Sequence, residues 1–428
     1  MRFFSPRLLL ATSAVAGSLA LLASNPHTPS VAPDPDNAGL KLPAGFGALK
    51  VAETGGRARH IAVTPQGIIY VKLNKVKDGK GILELKPQAT GKATVTGGFG
   101  DYGGTGMYVK DGYLYASSDH NVYRYKLDAK GEVTDPNKGE LLVRGLKVGS
   151  QHESKSIVLD NAGNLYVNIG AYANACQEQD RTRGSKGIPN CPILDSAGGI
   201  WQFKANQANQ TYKNGTRYAT GLRNVVGLDW NQQDNQLYVM QHGRDQLADN
   251  WPQFYNEKQS AVLPAECMYA LKQGDNAGWP YTYYDQLQHK IMQGPEYGGD
   301  GKKEATGNYL APAAAYPGHM APDGLLFYTG TMFPAKYRNG AFIAFHGSWN
   351  RAPEPQAGYY VVFQPFVNGK PSGQWEVFAD NFSGSAAKTA AGRADHRPCG
   401  LAQGPDGSLY VSDDSKGTIY RIVYNAKK

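Results

Sequence analysis

Two segments of this sequence place chemically active side chains directly before an apolar run that is typical of a β-strand. His152 lies in SQHESKSIVLD, and Arg223 and Asn224 lie in YATGLRNVVGL. A histidine titrates near neutral pH and suits a general base, with a surface or turn histidine as the alternative. An arginine can bind a carboxylate through two hydrogen bonds while the amide binds a carbonyl, with a structural loop clamp as the alternative. These residues predict acid–base chemistry beside an anion-binding site.

A third segment offers oxygen ligands for a metal ion. HGRDQLADNWP, residues 242–252, follows an apolar strand and contains Gly243, Arg244 and Asp245. Carboxylate and backbone carbonyl oxygens are the ligands that calcium prefers, although the spacing here differs from that of an EF-hand loop. The segment therefore predicts a calcium site.

Two further segments place cations at strand ends. HGSWNRAPEPQAGY brings His346 and Arg351 directly after the strand AFIAF, and HRPCGLAQGPDG places Arg397 just before another strand. Together with Arg223, these arginines could converge on one small polyanion. Elsewhere the basic residues are scattered, although 44 Lys and Arg against 36 Asp and Glu give a net charge of +8. We therefore expect a basic pocket and no nucleic-acid partner.

A repeated strand–turn–strand pattern must position these residues. Each copy has an apolar strand, a turn that in most copies contains glycine, and a second strand with an aromatic residue. The copies are IAVTPQGIIYV (61–71), GMYVKDGYLYAS (106–117), SIVLDNAGNLYVNIG (156–170), VGLDWNQQDNQLYVMQHG (226–243), FYTGTMFPAKYRNGAFIAFHG (327–347) and GLAQGPDGSLYVSDD (400–414). Six copies predict an all-β fold, a six-bladed β-propeller of four-stranded antiparallel blades. The insertions 172–195, 244–290 and 352–396 are expected to form long loops on one face, where ligands reach the central channel.

The composition agrees with this architecture and excludes several other classes of protein. Of 428 residues, 41% are hydrophobic, which excludes a disordered chain, and 19% are charged, which argues against a coiled coil. The 52 glycines and 25 prolines follow no Gly-X-Y period, which excludes collagen.

Residues 1–32 have the layout of a signal peptide and exported N-terminal segment. Met1–Arg7 carries two arginines, Leu8–Ala23 has no charge over 16 residues, and a polar, proline-rich stretch follows. Cleavage after Ala23 or Ala32 fits this layout, with an uncleaved anchor as the alternative. The sequence thus predicts a single catalytic propeller domain over residues 33–428, with no membrane span in the mature chain, in a secreted, periplasmic protein.

The cysteines fit an oxidising compartment. Cys176 and Cys191 lie 15 residues apart in one loop-like stretch and are expected to form a disulfide. Cys267 and Cys399 either form a second pair or stay buried as free thiols.

Several longer segments carry a family resemblance. They are YATGLRNVVGLDW, QHGRDQLADN, AGWPYTYYD, PEYGGDG, FIAFHGSWNRAPEPQAGY and RPCGLAQGPDGSLYVSDD. Over roughly residues 40–425 the chain resembles the soluble pyrroloquinoline-quinone-dependent sugar dehydrogenases, on the sorbosone-dehydrogenase-like side of the glucose/sorbosone dehydrogenase family. The resemblance implies a six-bladed propeller that binds pyrroloquinoline quinone (PQQ) and calcium. It also implies oxidation of a small sugar by hydride transfer, with an external electron acceptor.

The resemblance assigns roles to single residues. His152 matches the base that removes the proton of the sugar's anomeric hydroxyl. His319 is expected to contact the substrate, and it and His346 are the next candidates for the base. The remaining matches are cofactor contacts at Arg223, Asn224 and Arg397, a less secure cofactor contact at Arg351 or His346, and calcium ligands at the backbone carbonyls of Gly243 and Arg244 beside Asp245.

Two positions depart from the glucose-oxidising members of that family. Those proteins have an aspartate that orients the base where this chain has Ala171, and a glutamine where it has GGTGM (103–107). His152 must then be oriented by another partner, either Glu153 or a backbone carbonyl. The departures argue against glucose as the substrate.

The function that follows is a quinoprotein that oxidises an aldose, or a keto-aldose such as sorbosone, at the aldehyde or hemiacetal carbon. The alternatives are a calcium-dependent, lactonase-type propeller hydrolase and a propeller that only binds a ligand. The three arginines favour the quinoprotein, because a lactonase channel has no need of three cations.

Overall fold

Six sheets, each built on four antiparallel strands, follow one another along the described residues. The computed structural model describes Met1 and residues 31–425, so nearly all of the predicted signal segment lies outside the described residues. Within the described residues, no helix has both the length and the apolar character that a membrane crossing requires.

The strands, in chain order, are β1 (Phe46–Glu53), β2 (Ala58–Val63), β3 (Ile69–Lys77), β4 (Lys80–Pro87), β5 (Ala93–Phe99), β6 (Met107–Lys110), β7 (Tyr113–Ser117), β8 (Val122–Lys126), β9 (Glu140–Arg144), β10 (Ile157–Leu159), β11 (Asn164–Ile169), β12 (Gly199–Lys204), β13 (Gln210–Thr211), β14 (Thr216–Thr220), β15 (Val225–Asn231), β16 (Gln236–Gln241), β17 (Glu266–Leu271), β18 (Asp275–Asn276), β19 (Thr282–Asp285), β20 (Lys290–Gln293), β21 (Ala314–Tyr316), β22 (Pro322–Phe327), β23 (Ala341–Phe345), β24 (Tyr360–Gln364), β25 (Phe366–Val367), β26 (Lys370–Pro371), β27 (Glu376–Ala379), β28 (Pro398–Gln403), β29 (Leu409–Asp413) and β30 (Thr418–Tyr424). The α-helices are α1 (Leu247–Asn250), α2 (Glu257–Val262) and α3 (Ala386–Ala390), and short 3₁₀ turns span Asn37–Gly39, Pro192–Asp195, Tyr212–Asn214, Pro295–Tyr297 and Ala335–Tyr337.

These strands form the six blades that the sequence repeats predict. The strand orders are β2-β3-β4-β5, β6-β7-β8-β9, β10-β11-β12-β14, β15-β16-β17-β21, β22-β23-β24-β27 and β28-β29-β30-β1, which we number blades 1 to 6. Blades 2 and 3 each gain a short fifth strand, β13 beside β9 and β18 beside β14, paired in parallel. Blade 6 joins the N-terminal strand β1 to the C-terminal strand β30, and this pairing closes the ring. Each repeat in the sequence corresponds to the two inner strands of one blade, so the prediction of a six-bladed propeller is confirmed.

Local sequence explains the hairpins between the inner strands. In blade 2 the turn between β6 and β7 consists of Asp111 and Gly112, with φ of 50° and 76°. A two-residue hairpin turn of this type needs positive φ at both positions, and aspartate followed by glycine supplies it at low cost. The strands on either side are largely apolar, because each blade packs against its neighbours on both faces.

The inner strands β2, β6, β10, β15, β22 and β28 contact one another in sequence around the central channel. In every blade the antiparallel order puts two kinds of connection at the same end of the propeller. These are the connection into the inner strand and the connection after the second strand. All the predicted site residues lie in such connections, so the topology gathers them on one face.

The opposite half of the channel contains a separate cavity of about 270 Å³. Each blade contributes an apolar side chain to its lining, namely Ile61, Met107, Ile157, Leu228, Leu325 and Leu401. The predicted site residues are absent from this lining, and the cavity plays no part in the site described below.

Candidate functional site

His152 lies in the connection that leads into β10, with a left-handed backbone (φ 55°). Its Nδ1 lies 2.6 Å from the carbonyl oxygen of Ala171. A carbonyl oxygen only accepts hydrogen bonds, so Nδ1 carries the proton and Nε2 of the neutral ring holds a free lone pair. The backbone of Ala171 thus does what an orienting carboxylate does elsewhere, and of the two partners left open by the sequence, the carbonyl is the one present.

Gly170 makes room for this histidine. A Cβ at position 170 would lie 2.6 Å from both the Cβ and the carbonyl oxygen of His152, closer than such atoms can approach. It would also lie 3.1 Å from Oδ1 of Asn224, a buried oxygen without a hydrogen-bond partner among the described residues. The glycine therefore lets three segments meet around the imidazole.

The electrostatic surroundings keep His152 neutral. Burial and, after it, the positive charge of Arg223 lower the pKa of His152 to about 3. At neutral pH the imidazole is therefore an unprotonated ring with an available lone pair.

Arg223, which precedes β15, is buried and held by four hydrogen bonds. Nε donates to the backbone carbonyl of Asn174 at 3.2 Å, and Nη2 donates to its side-chain oxygen Oδ1 at 3.1 Å. Nη1 donates to the carbonyl of Gly243 at 2.9 Å, and Nη2 donates to Asp245 at 2.8 Å. A guanidinium has five N–H donors, so one remains for a ligand. The two-bond grip on a carboxylate that the sequence predicts is therefore not available from Arg223 in this arrangement.

Asp245 is the carboxylate around which the site is assembled. Besides Arg223, it pairs with Arg181 at 3.0 Å, accepts a hydrogen bond from Asn350 at 2.7 Å, and lies 3.6 Å from Nδ1 of His319. Burial by itself would raise the pKa of Asp245, but Arg223, His319 and Arg181 outweigh burial and hold it well below its usual range. The carboxylate is therefore ionised and binds two guanidinium groups.

These side chains border a cavity of about 300 Å³ on the face that carries the long connections. Its lining consists of Gln151, His152, Arg181, Arg223, His242, Gly243, Asp245, Glu266, His319, Ala321, Trp349 and Asn350. Five of these are residues that the sequence predicts. We call this the upper pocket.

Trp349 lines the upper pocket, and 68% of its surface is exposed to solvent, which places it at the opening. A large aromatic side chain in this position offers an uncovered ring beside the cavity. Aromatic faces bind planar rings and the apolar faces of sugars, so the mouth is suited to such ligands.

Glu266, at the start of β17, closes the floor of the pocket. It accepts hydrogen bonds from the backbone N–H of Gly243 at 2.9 Å and of Ala321 at 3.3 Å. Burial raises its pKa. Glu266 fixes the connections that carry Gly243 and His319 relative to each other.

The sequence did not single out several lining residues. Three of them lie inside motifs in which other residues were predicted as site residues, namely His242, Trp349 and Asn350. Glu266 is an acidic residue at the start of a buried strand. Arg181 lies in the insertion 172–195, where nothing in the sequence pattern indicates which way a side chain faces.

Two predicted residues, Arg244 and His319, use polar side-chain atoms for bonds within the protein. Nη1 of Arg244 forms a buried ion pair with Glu296, and its Nε donates to the carbonyl of Asp245 at 3.0 Å. The Nε2 of His319 contacts the carbonyls of Ser260 and Leu263, at 2.7 and 3.0 Å. His319 is therefore tied to the backbone on one side and presents Nδ1 toward Asp245 on the other.

The other predicted arginines are not among the residues that line the upper pocket. The guanidinium of Arg351 bonds the carbonyls of Ala261, Pro355 and Gly318. Arg397 donates to the carbonyl of Gly347 at 3.3 Å. Their convergence with Arg223 on one anion stays a prediction.

His346 and Arg397 adjoin a second ionic group inside the channel, the channel cluster, defined as Arg59, Asp323 and Asp414. Nε2 of His346 lies 3.2 Å from Asp414, and Nη1 of Arg397 lies 3.5 Å from Nδ1 of His346. Arg59 donates to Asp414 at 2.6 Å and to Asp323 at 3.2 Å.

The cysteines follow the sequence prediction. Cys176 and Cys191 form a disulfide in the loop between β11 and β12. Cys267 and Cys399 are buried and free, which decides the alternative that the sequence left open.

Comparison with known proteins gives a consistent result. A family model described as TrAA12-like matches residues 40–425. The chain is 26% identical over 279 residues to the pyrroloquinoline quinone-dependent pyranose dehydrogenase of Coprinopsis cinerea, covering 56% of this chain and 36% of that protein. It is 24% identical over 345 residues to the pyrroloquinoline quinone-dependent sugar dehydrogenase of Hypocrea jecorina, covering 76% and 74%.

A solved structure shows the same fold. It is the calcium structure of a family AA12 carbohydrate-active enzyme of Trichoderma reesei, with a TM-score of 0.72 and 20% identity, covering 90% of this chain and 97% of that chain. The chain spans less than half the length of the first curated relatives that it matches. The resemblance to quinone-dependent sugar dehydrogenases expected from the sequence is confirmed at the level of the family.

Proposed function

This chain belongs to the TrAA12-like family, and from that membership and the geometry of the upper pocket we propose that it is a PQQ-dependent sugar oxidoreductase. The observation that carries the proposal is the state of His152. Its Nδ1–H is fixed on the Ala171 carbonyl, and its Nε2 is unprotonated in a pocket that also holds two arginines. An oriented imidazole with a free Nε2 lone pair in a pocket lined by cations has the geometry that a base needs beside an anionic cofactor. Its pKa of about 3 makes it a weak proton acceptor, and a bound anion that offsets the charge of Arg223 would raise that pKa.

The residues of the pocket fit PQQ, which carries three carboxylates and two adjacent quinone carbonyls. Arg181 and Arg223 both pair with Asp245, Arg181 also lies 3.8 Å from Asp180, and Glu266 is a second carboxyl group in the lining. The pocket therefore presents two guanidinium groups, and one N–H of Arg223 is unused by the described residues. Asn224 does not line the pocket; its side-chain oxygen is buried beside Gly170 and has no partner among the described residues. The ring of Trp349 supplies a face for a flat molecule.

For calcium we propose three hard oxygen donors as ligands, the backbone carbonyls of Gly243 and Arg244 and the carboxylate of Asp245. In this structure the Gly243 carbonyl accepts from Nη1 of Arg223, and Asp245 pairs with Arg181 and Arg223, so calcium would replace some of these contacts. Calcium is named for the family AA12 structure of Trichoderma reesei, and PQQ for both dehydrogenase relatives. When bound, the quinone would accept the hydride of the sugar's C–H bond, and the calcium ion would polarise a quinone carbonyl as a Lewis acid.

The chain's own residues then supply proton transfer and positioning. Nε2 of His152 accepts the proton of the anomeric hydroxyl while the hydride leaves the same carbon, so the sugar loses two electrons and two hydrogens in all. The Ala171 carbonyl holds the ring in the tautomer that makes this possible. The negative charge of Asp245 favours the imidazolium that forms.

For the substrate we propose an aldose, or a keto-aldose of the sorbosone type, oxidised at its anomeric or aldehyde carbon. Ala171 in place of a carboxylate and the exposed Trp349 at the mouth support a pocket that differs from that of a glucose oxidiser. The basic, apolar N-terminal segment and the disulfide support export to the periplasm. Electrons would leave to an external acceptor.

Reconstitution tests the proposal. Purified protein is mixed with PQQ, calcium, an artificial electron acceptor and a panel of aldoses and keto-aldoses, and dye reduction is followed by absorbance. Turnover is expected only when both quinone and calcium are present, and His152→Gln is expected to bind quinone without turnover. Gln179→Ala, an exposed change in a neighbouring loop, is the matched control and should behave as wild type.

Three results would overturn it. Hydrolysis of lactones with calcium alone would identify a hydrolase. Sugar binding without turnover under any cofactor condition would identify a binding propeller. Quinone affinity that is unchanged by calcium in calorimetry would remove the proposed metal from the site.

A further inference from the structure

Asn174 lies at the centre of the site although it reaches no opening to solvent; its residue is 0% exposed. Its backbone carbonyl accepts from Nε of Arg223 at 3.2 Å and from the indole N–H of Trp279 at 2.9 Å. Its side-chain oxygen accepts from Nη2 of Arg223 at 3.1 Å and from the backbone N–H of Asp245 at 2.8 Å. Its amide N–H₂ donates to the carbonyl of Asp245 at 3.0 Å.

This one residue therefore joins two segments that come from different parts of blade 4. Arg223 precedes β15, and Asp245 follows β16. A buried amide that uses its acceptor and its donor on two partners fixes their separation, because any shift leaves a buried polar group unpaired.

The loop that carries Asn174 is itself anchored. Ala171, Cys176, Cys191 and Trp279 form a buried cluster, and the disulfide is part of it. The hydroxyl of Tyr297 donates to the carbonyl of Cys176 at 3.2 Å. The disulfide thus lies two residues from Asn174, so the loop is held covalently close to the residue that contacts Arg223.

We propose that Asn174 is a positioning residue for the cofactor site, and that the disulfide-bridged loop 172–195 is a structural component of that site. The inference rests on the proposed function for the identity of the ligand. Asn174 accepts hydrogen bonds from two of the five N–H groups of Arg223, and Gly243 and Asp245 accept from two more. These bonds fix the orientation of the guanidinium and leave one Nη1 hydrogen for a ligand. Asn174 also holds the backbone of Asp245, next to the carbonyls proposed for calcium.

Calorimetry with the full-length protein tests this. PQQ in the presence of calcium is titrated into wild type, Asn174→Ala and Gln179→Ala. Gln179 lies in the same loop but is exposed, so it is a matched amide-to-alanine control. We expect the dissociation constant to rise at least tenfold for Asn174→Ala and to stay unchanged for Gln179→Ala. Wild-type affinity in Asn174→Ala would overturn the proposal.

A double-mutant cycle separates positioning from general loss of structure. If Asn174 acts through Arg223, Asn174→Ala should weaken quinone binding much less in an Arg223→Ala background than in the wild type. Additive losses would mean that Asn174 acts independently of Arg223 and would contradict the inference. Where Asn174→Ala fails to fold, Asn174→Asp keeps the shape, removes the donor to Asp245 and adds a carboxylate that competes for Arg223, so the same loss of affinity is expected.

A second readout needs no quinone. The backbone N–H of Asp245 is bonded to Asn174, so hydrogen exchange in the peptide that contains Asp245 should be at least tenfold faster in Asn174→Ala than in wild type or Gln179→Ala. Unchanged exchange would overturn the positioning role. If wild type itself fails to bind PQQ, the proposed function fails, and the exchange result still decides whether Asn174 orders the segment.

Discussion

Two arginines of this protein, Arg223 in the upper pocket and Arg59 in the channel cluster, are both buried and differ in what surrounds them. Arg59 donates to the carboxylates of Asp323 and Asp414 and contacts the hydroxyls of Thr105 and Ser154. Arg223 has a single carboxylate, Asp245, and otherwise binds carbonyl and amide oxygens.

The pKa values express this contrast. Burial by itself would lower the pKa of Arg59, but Cys399, Asp414 and Asp323 outweigh burial and raise it well above its usual value. Burial lowers the pKa of Arg223, and Asp245 only partly compensates. The surroundings of Arg59 therefore stabilise its charged form. The surroundings of Arg223, which borders a cavity, stabilise its charged form less than water does.

The comparison shows how a structural ion cluster is told from a ligand site. In the channel cluster the cation pairs with two carboxylates. In the upper pocket Arg223 pairs with Asp245 alone among the carboxylates of the described residues, and one of its N–H groups remains for an anion. We expect this difference to separate stability from binding.

The largest effect is expected at the base. His152→Gln should lower sugar turnover by roughly a hundred- to ten-thousand-fold, because the proton of the substrate hydroxyl loses its acceptor. Quinone affinity, measured by calorimetry, should stay near the wild-type value, and single-turnover absorbance measures the chemical step. Retention of more than about a tenth of the turnover would place the base elsewhere, with His319 and His346 as the next candidates.

Arg59→Ala should act on stability. Its loss leaves Asp323 and Asp414 buried with fewer partners, which costs about 3–5 kcal/mol in the free energy of unfolding. Denaturant unfolding followed by tryptophan fluorescence measures this loss. A variant that is as stable as wild type would show that the channel cluster does not hold the blades together.

Arg223→Ala should act on binding instead. Asp245 keeps Arg181 and Asn350 as partners, so the loss of stability should be smaller than for Arg59→Ala. One cofactor carboxylate loses its cation, and by analogy with broken interfacial charge pairs about 2–5 kcal/mol of binding free energy is at stake. Calorimetry should show quinone affinity reduced by more than tenfold. An unchanged dissociation constant would place Arg223 outside the cofactor site.

The smallest effect concerns pH. Burial, and then Arg223, lower the pKa of His152 to about 3, so the base stays unprotonated and kcat/KM should show no histidine-like fall between pH 7 and 5. Because an unfolded histidine titrates near pH 6.5, the unfolded chain binds a proton first, and the native state loses stability as pH falls from about 6.5 toward 3. NMR titration of the imidazole checks this; a pKa near 6.5 would contradict it.

Much of the architecture is readable in the sequence, since strand–turn–strand repeats encode blades directly. The six copies correspond to the inner strand pairs, and the turn residues Asp111 and Gly112 supply the backbone geometry of their hairpin. The disulfide was also predictable, because both cysteines lie in one loop. For the site, motifs at strand ends identified His152, Arg223, Gly243 and Asp245, and His319 was expected to contact the substrate; all five line the upper pocket.

What the sequence could not determine is which side chains meet. Asn174 and Arg181 lie in an insertion without a periodic pattern, and only the folded loop brings them to Arg223 and Asp245. The Ala171 carbonyl is invisible in a sequence, because every residue has one, and its contact with His152 depends on two loops approaching over Gly170. Local pattern fixes where a residue lies along a blade; the approach of connections from different blades decides its partners, and those partners decide its charge and its chemistry.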